Sequence, residues 1–245
     1  MNKELAVIQL KMVKEVFDRF GIKFWLDGGT LLGAIREGKI IDWDNDIDLG
    51  MWSCDLNKLF LAICEIRRKF ELRLGSPLFP NKQWVKLSLY PFDFDIDIWL
   101  WQAKDDKIFC LYNRFKGSRL PINSILYILS IARHYLFCDF TLFVPMKPIK
   151  FIAEIFQHSL PLLPLRLKTF LLRLLQPLKL GYTNWILINP KSHFEKLETT
   201  KFYGMEFYIP CDVEGYLKYH YGDNWRVPQK KWEWTEDDLA PILKE

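Results

Sequence analysis

The chain has 245 residues, of which 50% are hydrophobic, 16% aromatic and 26% charged. This excludes a disordered chain and suits one large domain, or a catalytic core with an appended lobe. The net charge of +4 is regional: Arg119 to Lys179 holds eight Lys and Arg residues against Asp139 and Glu154, a balance of +6 that leaves −2 elsewhere. Such a distribution points to an anionic partner for the middle of the chain and away from a nucleic acid polymer.

Five cysteines (Cys54, Cys64, Cys110, Cys138 and Cys211) without a CxxC pair argue against a disulfide framework or a zinc site; reduced thiols are expected. The first residues lack the apolar core of a signal peptide. Apolar runs such as Ile122 to Ala132 fall short of the about 20 residues that span a bilayer. The expectation is a cytoplasmic protein, soluble or peripheral at a membrane.

Leu5, Ile8, Met12, Val16 and Phe20 recur at helical spacing, and Gly21 follows as a stop. Ile22 to Asp27 reads as a short buried strand. Gly28-Gly29 breaks it, and Thr30 is placed to cap a helix ending near Arg36 and Gly38. From Asp44 the acids alternate with other residues, as on a strand. Leu56 to Phe70 reads as a helix, and Trp84 to Tyr90 and Phe92 to Trp101 as two strands joined at Pro91. Leu120 to Leu180 is rich in leucine, phenylalanine and proline, which implies short helices in a separate lobe. A hairpin turning at Gly204-Met205 and a helix over Val213 to Tyr221 complete the chain. These elements divide it into a catalytic core (1–118), a basic, leucine-rich helical insertion (119–180) and a C-terminal segment packing back on the core (181–245).

Three features carry chemistry. Asp44, Asp46 and Asp48 put like charges on one strand face, a repulsion that a divalent cation relieves; hard carboxylate oxygens favour Mg2+ or Mn2+. An EF-hand is excluded, because no glycine occupies the required loop position and no Glu closes the loop. Asp93, Asp95 and Asp97 repeat the alternation, and two acidic strands side by side can clamp a phosphoryl group through metal. Gly28-Gly29-Thr30, at a strand-to-helix junction, suits close backbone approach to a phosphate at a helix N-terminus. Arg36 offers a fork for a phosphate, or stands as a surface arginine. His134, His158, His193 and His220 lack triad or metal spacing and read as structural or surface residues, and the aromatics of Tyr216 to Trp225 as core before a stacking platform.

The order Gly-Gly-Thr, Asp-x-Asp, then a third acid on a later strand resembles the nucleotidyltransferase superfamily. The run from Phe24 through Asp27-Gly28-Gly29-Thr30 and Trp43-Asp44-Asn45-Asp46-Ile47-Asp48 to Gly50 resembles the signature of the LicD family, which includes bacterial phosphocholine transferases and ribitol-phosphate transferases of the fukutin type. Gly204 to Pro210 and Tyr221 to Trp225 resemble its closing motif, whereas Asp42 departs from the usual proline before Trp-Asp. The resemblance implies an α/β (α+β) fold: a nucleotidyltransferase-like mixed sheet flanked by helices, here with a helical middle lobe. It implies transfer of a phospho-alcohol group (phosphocholine or polyol phosphate) from a CDP-linked donor to a hydroxyl of a glycan, free or lipid-linked, such as a cell-surface polysaccharide. On this pattern Asp46, Asp48 and Asp97 are catalytic, Asp44, Asp46, Asp48, Asp95 and Asp97 are metal ligands, and Gly28, Gly29, Thr30 and Arg36 contact the donor. Of the later acids Asp97 matches the third acid best, then Asp95.

Two other readings stay open: a manganese-dependent glycosyltransferase using Asp44-Asn45-Asp46, and an inactive nucleotide-binding module. Leu167, Phe170, Leu171, Leu174 and Leu175, with Lys168, Arg173 and Lys179, also form an amphipathic pattern fit either for a core-facing helix or for an anionic membrane surface.

Overall fold

The computed structural model describes residues 3–74, 84–90, 94–115, 132, 141–142, 152, 155–156, 158–164, 166–167, 170–171, 182–232 and 237–244. Most of the 119–180 insertion lies outside these residues, as do Asp93, His134 and every basic residue between Arg119 and Lys179 except Arg166.

The first helix, α1 (Lys3–Arg19), buries Ala6, Gln9, Leu10, Val13, Val16 and Phe17. This face is rotated from the stripe the sequence suggests, and Ile8 is 49% exposed. The apolar arc is wide enough for either face, and a polar contact takes part in the choice: Gln9 Nε2 donates to the Phe94 carbonyl at 2.9 Å, which satisfies a buried backbone acceptor. Strand β1 (Phe24–Leu26) is buried throughout. Helix α2 (Gly28–Arg36) follows at once, capped by Asp27, whose side chain accepts from Gly28 N. Thr30 is therefore not the cap. It sits inside the first turn, and its Oγ1 accepts the backbone N–H of Asp48 at 2.8 Å, tying α2 to the next strand.

That strand, β2 (Asp46–Trp52), begins after Asp44. Asp44 stands in a turn closed by its N–H to the Ile41 carbonyl, and Lys3 Nζ, donating to the Ile41 and Asp44 carbonyls at 2.7 and 2.5 Å, pins that turn to α1. Helix α3 (Leu56–Lys69) packs beside α1. Then come β3 (Glu71–Leu74), β4 (Trp84–Tyr90), β5 (Asp95–Lys104), β6 (Lys107–Phe115), β7 (Thr141–Leu142), β8 (Tyr182–Pro190), β9 (Glu198–Phe202), β10 (Met205–Ile209), helix α4 (Val213–Tyr221) and β11 (Ile242–Lys244). The β9–β10 turn is Tyr203-Gly204, with φ of 49° and 74°. Because Met205 already pairs with Phe202, the turn lies one residue before the place expected.

Among the described residues eleven strands form a mixed sheet in the order β11-β8-β6-β5-β2-β1-β10-β9, with β4, β3 and β7 branching from β5. Helices flank it, as the sequence implies. Two pairings position the site. Strand β2 is parallel to β5, and β4 is antiparallel to the same part of β5 on its other side. The C-terminal residues return to this sheet: β10 adds to β1 in parallel, and β8 pairs along the full length of β6. One contiguous hydrophobic core lies under the sheet and helices.

Candidate active site

Strand geometry assembles the acids. Parallel register sets Asp46 against Asp95 and Asp48 against Asp97. The intervening Ile47, Ile96 and Ile98 are fully buried on the opposite face, as period-2 alternation requires. The odd positions of β5 continue this line as Asp95, Asp97, Trp99 and Trp101. Trp99 Nε1 donates to Asp48 Oδ1 at 3.2 Å, and Trp101 Nε1 to Asp27 Oδ2 at 2.8 Å. Opposite Asp97, β4 presents Lys86, and opposite Asp95 it presents Ser88.

The glycine pair serves the carboxylates. Gly28 has φ of +46°, and a Cβ there would stand 2.9 Å from Asp48 Oδ2. At Gly29 a Cβ would stand 2.7 Å from Asp44 Oδ2 and 3.5 Å from Asp48 Oδ2. Only glycine lets both carboxylates press on the first turn of α2. The Gly28 N–H donates to Asp27 and the Gly29 N–H to Asp48, each at 3.1 Å. The two amides expected to cradle a phosphate are thus already engaged by carboxylates.

A cavity of about 310 Å³ opens over this face, lined by Gly28, Gly29, Asp44, Asp46, Asp48 and Asp97. Trp99, Trp101, Tyr216, His220, Trp232 and Asp238 also line it. Crowding shows in the proton affinities. Burial, then a hydrogen bond and the charge of Asp46, raise Asp44 to about 7. Burial, then the charges of Asp46, Asp97 and Asp44, hold Asp48 well above the usual carboxylate range. Burial raises Asp97 to about 7 against the opposing pull of Lys86. Lys86 Nζ lies 3.1 Å from Asp95 Oδ2 and 3.3 Å from Asp97 Oδ1. Burial lowers the Lys86 ammonium, but the charges of Asp97 and Asp95 outweigh it and leave it raised. The approach to Asp97 is an ion pair without hydrogen-bond directionality, so Asp97 Oδ1 is buried with no hydrogen-bond partner.

The expected site residues separate by environment. Asp44, Asp46, Asp48, Asp97, Gly28 and Gly29 meet in the cavity wall. Asp95 is tied to Ser88 and Lys86 and is not part of that wall. Asp42 is exposed and paired with Lys39, outside the group. Thr30 is 1% exposed and faces the interior. Arg36 gives Nε and Nη2 to Glu37 and Nη1 to the Trp225 carbonyl, lining an adjacent cavity. Among the described residues no three His, Cys, Asp or Glu side chains form a ready-made metal cage.

Several wall residues were not singled out from sequence. Asp27, 2% exposed, accepts from Gly28 N, Trp101 Nε1 and the Tyr216 hydroxyl, the last at 2.5 Å. His220, read from sequence as structural or surface, is buried in the cavity wall. Its Nδ1 faces Asp238 at 2.8 and 3.0 Å, and its Nε2 faces Asn189 Oδ1 at 2.7 Å. Lys86, Trp99 and Trp101 had a legible signal, since the alternation Val85-Lys86-Leu87-Ser88-Leu89 and the continuation of the Asp95–Asp97 line place them on the acidic face. His220 and Asp238 had none, because only packing of the C-terminal segment brings them here.

Residues 21–74 match the family described as LicD/FKTN/FKRP, nucleotidyltransferase domain. The human ribitol 5-phosphate transferase FKRP is 48% identical over 46 residues, which is 19% of this chain and 9% of that protein. The human ribitol-5-phosphate transferase FKTN is 23% identical over 236 residues, covering 92% of this chain and 34% of that protein. The chain thus spans about a third of the fukutin-type relative and less than a tenth of the fukutin-related one. Among solved structures, the antibiotic-resistance factor ANT(2'')-Ia aligns with a TM-score of 0.36 and 14% identity, over 72% of this chain and 94% of that one. Residues 21–74, which contain Gly28-Gly29-Thr30 and the Asp44, Asp46 and Asp48 cluster, are thus the part of the chain that matches the LicD/FKTN/FKRP nucleotidyltransferase domain.

Proposed function

We propose that the chain is a metal-dependent transferase that moves a phospho-alcohol group from a CDP-linked donor to a glycan hydroxyl. The observation that carries this reading is the register of β2 on β5, which sets Asp48 against Asp97 and so brings Asp46, Asp48 and Asp97 into the wall of one cavity. Carboxylates raised by burial and mutual repulsion have the donor chemistry for Mg2+ or Mn2+. Magnesium is commonly held by one or two carboxylates together with substrate phosphates, which fits a site without a complete protein cage. One or two of Asp44, Asp46 and Asp48 would hold it, which leaves Asp97 for the acceptor. When bound, the cation would neutralise the phosphate oxygens around the transferred phosphorus.

The remaining work falls to the chain's own groups. Asp97, raised to about 7, is poised as a general base near neutrality. It takes the proton of the acceptor hydroxyl, whose oxygen bonds to the phosphorus carrying the alcohol as the bond to CMP breaks. Lys86 holds Asp97 against the strand from behind. The tryptophans of the cavity wall restrict water, the competing acceptor.

Purified protein should release CMP from CDP-ribitol, CDP-choline or CDP-glycerol, and Asp97→Asn should slow this at least about a hundredfold with melting temperature maintained. Release of nucleoside diphosphate from sugar nucleotides, with CDP-alcohols inert, would sink the reading and favour a glycosyltransferase. A peripheral membrane role for the insertion is part of the proposal. Leu162, Phe170 and Leu167 stand 82%, 61% and 42% exposed beside exposed Arg166, and no helix among the described residues is long and apolar enough to cross a membrane. Salt-sensitive sedimentation with anionic but not neutral vesicles is the expected result.

A further inference from the structure

A second cavity of about 310 Å³ adjoins the acidic one, and the two share Gly29, Asp44, Asn45, Tyr221 and Trp232. Its character differs. Trp43, Tyr221, Trp225 and Trp232 contribute aromatic wall, and Arg36 and Lys230 contribute cations. Trp232 lies against Tyr221 with ring centroids 5.0 Å apart, and Lys230 Nζ stands 5.9 Å from the centre of the Trp43 ring. Trp225 is 3% exposed, and its indole N–H has no partner among the described residues. Arg36 holds this wall in place: it donates to the Trp225 carbonyl at 3.4 Å while Glu37 occupies the rest of its fork.

We propose that this cavity is the subsite for the nucleoside of the donor. A pyrimidine presents flat faces for the aromatic rings. Its phosphates run past Gly29 toward the acidic cavity, with Lys230 at the entrance. Lys230 decides against the other aromatic-cage ligand, a quaternary ammonium, which its ammonium would repel, while the charge of Arg36 is already met by Glu37. The alcohol and the acceptor then belong to the acidic cavity. This inference rests on the donor class proposed above.

The test is calorimetric titration of the full chain with CMP, cytidine, ribitol 5-phosphate and phosphocholine, in EDTA and again in Mg2+. Trp43 and Lys230 are both exposed, so Trp43→Ala and Lys230→Ala should melt like the parent. Trp43→Ala should weaken CMP and cytidine about tenfold, the scale of one lost stacking partner. Lys230→Ala should weaken CMP and leave cytidine unchanged. CMP affinity within twofold of the parent in Trp43→Ala, or a larger loss for ribitol 5-phosphate or phosphocholine than for CMP, would overturn the subsite assignment while leaving the donor class standing. A parent protein that binds no cytidine nucleotide in either buffer would overturn both.

Discussion

Asp27 offers a sharp test of how the site is built. It precedes the glycine pair and invites a catalytic reading, yet its carboxylate is 2% exposed and committed to three donors from three elements: Gly28 N of α2, Trp101 Nε1 of β5 and Tyr216 Oη of α4. Burial, then the charge of Asp27, push the Tyr216 hydroxyl well above its usual range, so it stays a donor. Asp27→Ala removes a helix cap, about 1 kcal/mol, and two charge-assisted hydrogen bonds of about 1.5–3 kcal/mol each. Some of this is regained because a buried charge disappears. A net loss of about 4 kcal/mol is expected, equivalent to a melting temperature about 8–16 °C lower for a chain of this size. Asp27→Asn should cost roughly half as much, because the Tyr216 hydroxyl can turn to accept from the new amide while Trp101 keeps the carbonyl. In a double-mutant cycle, Asp27→Ala and Tyr216→Phe should be coupled by at least about 1 kcal/mol, read from urea unfolding. A melting temperature within about 4 °C of the parent for Asp27→Ala would refute this account of the junction.

Three further outcomes are expected. The folded forms of Asp44 and Asp97 titrate near 7, against 3.8 for the ordinary carboxyl, so the stability they contribute is complete below about pH 4 and lost as pH rises through 7. The facing charges are Asp46 and Lys3 for Asp44, and Lys86, Asp46 and Asp95 for Asp97. Thermal unfolding in EDTA should therefore fall by about 10–20 °C between pH 5 and pH 8, and Mg2+ should flatten the fall; a melting temperature that is constant or rises in EDTA would contradict it. Asp46→Asn relieves repulsion on Asp44, Asp48 and Asp97 and should raise stability at pH 8 in EDTA while abolishing CMP release, whereas Asp48→Asn should gain less, because its amide would oppose the Gly29 or Trp99 donor. Gly29→Ala places a Cβ 2.7 Å from Asp44 Oδ2, the end of a movable side chain, so melting should shift little while turnover drops about a hundredfold from misplaced carboxylates; turnover near the parent value would show that Asp44 is not needed where it stands.

Local chemistry is what the sequence states by itself. The Asp-x-Asp alternation, the Gly-Gly junction and the hydrophobic periods of α3, β4 and α4 each depend on residues within a few positions of one another, and the pattern over residues 21–74 is long enough to match a known domain family. Side-chain alternation alone put Asp46 with Asp48, and Asp95 with Asp97, on common faces. It could not say that the two faces are one face. That follows from the parallel register of β2 on β5, a pairing between segments nearly fifty residues apart that no local period encodes. Nor could local rules find the Asp27 cap in preference to Thr30, since both residues suit a helix start and only the Asp48 N–H waiting across the sheet claims the threonine. The division between Asp97, open to the cavity, and Asp95, tied down by Lys86 and Ser88, is decided by β4 lying on the far side of β5. His220, Asp238, Trp225 and Trp232 belong to the chain's last thirty residues, and they become part of a site only because that segment folds back over the acidic strands.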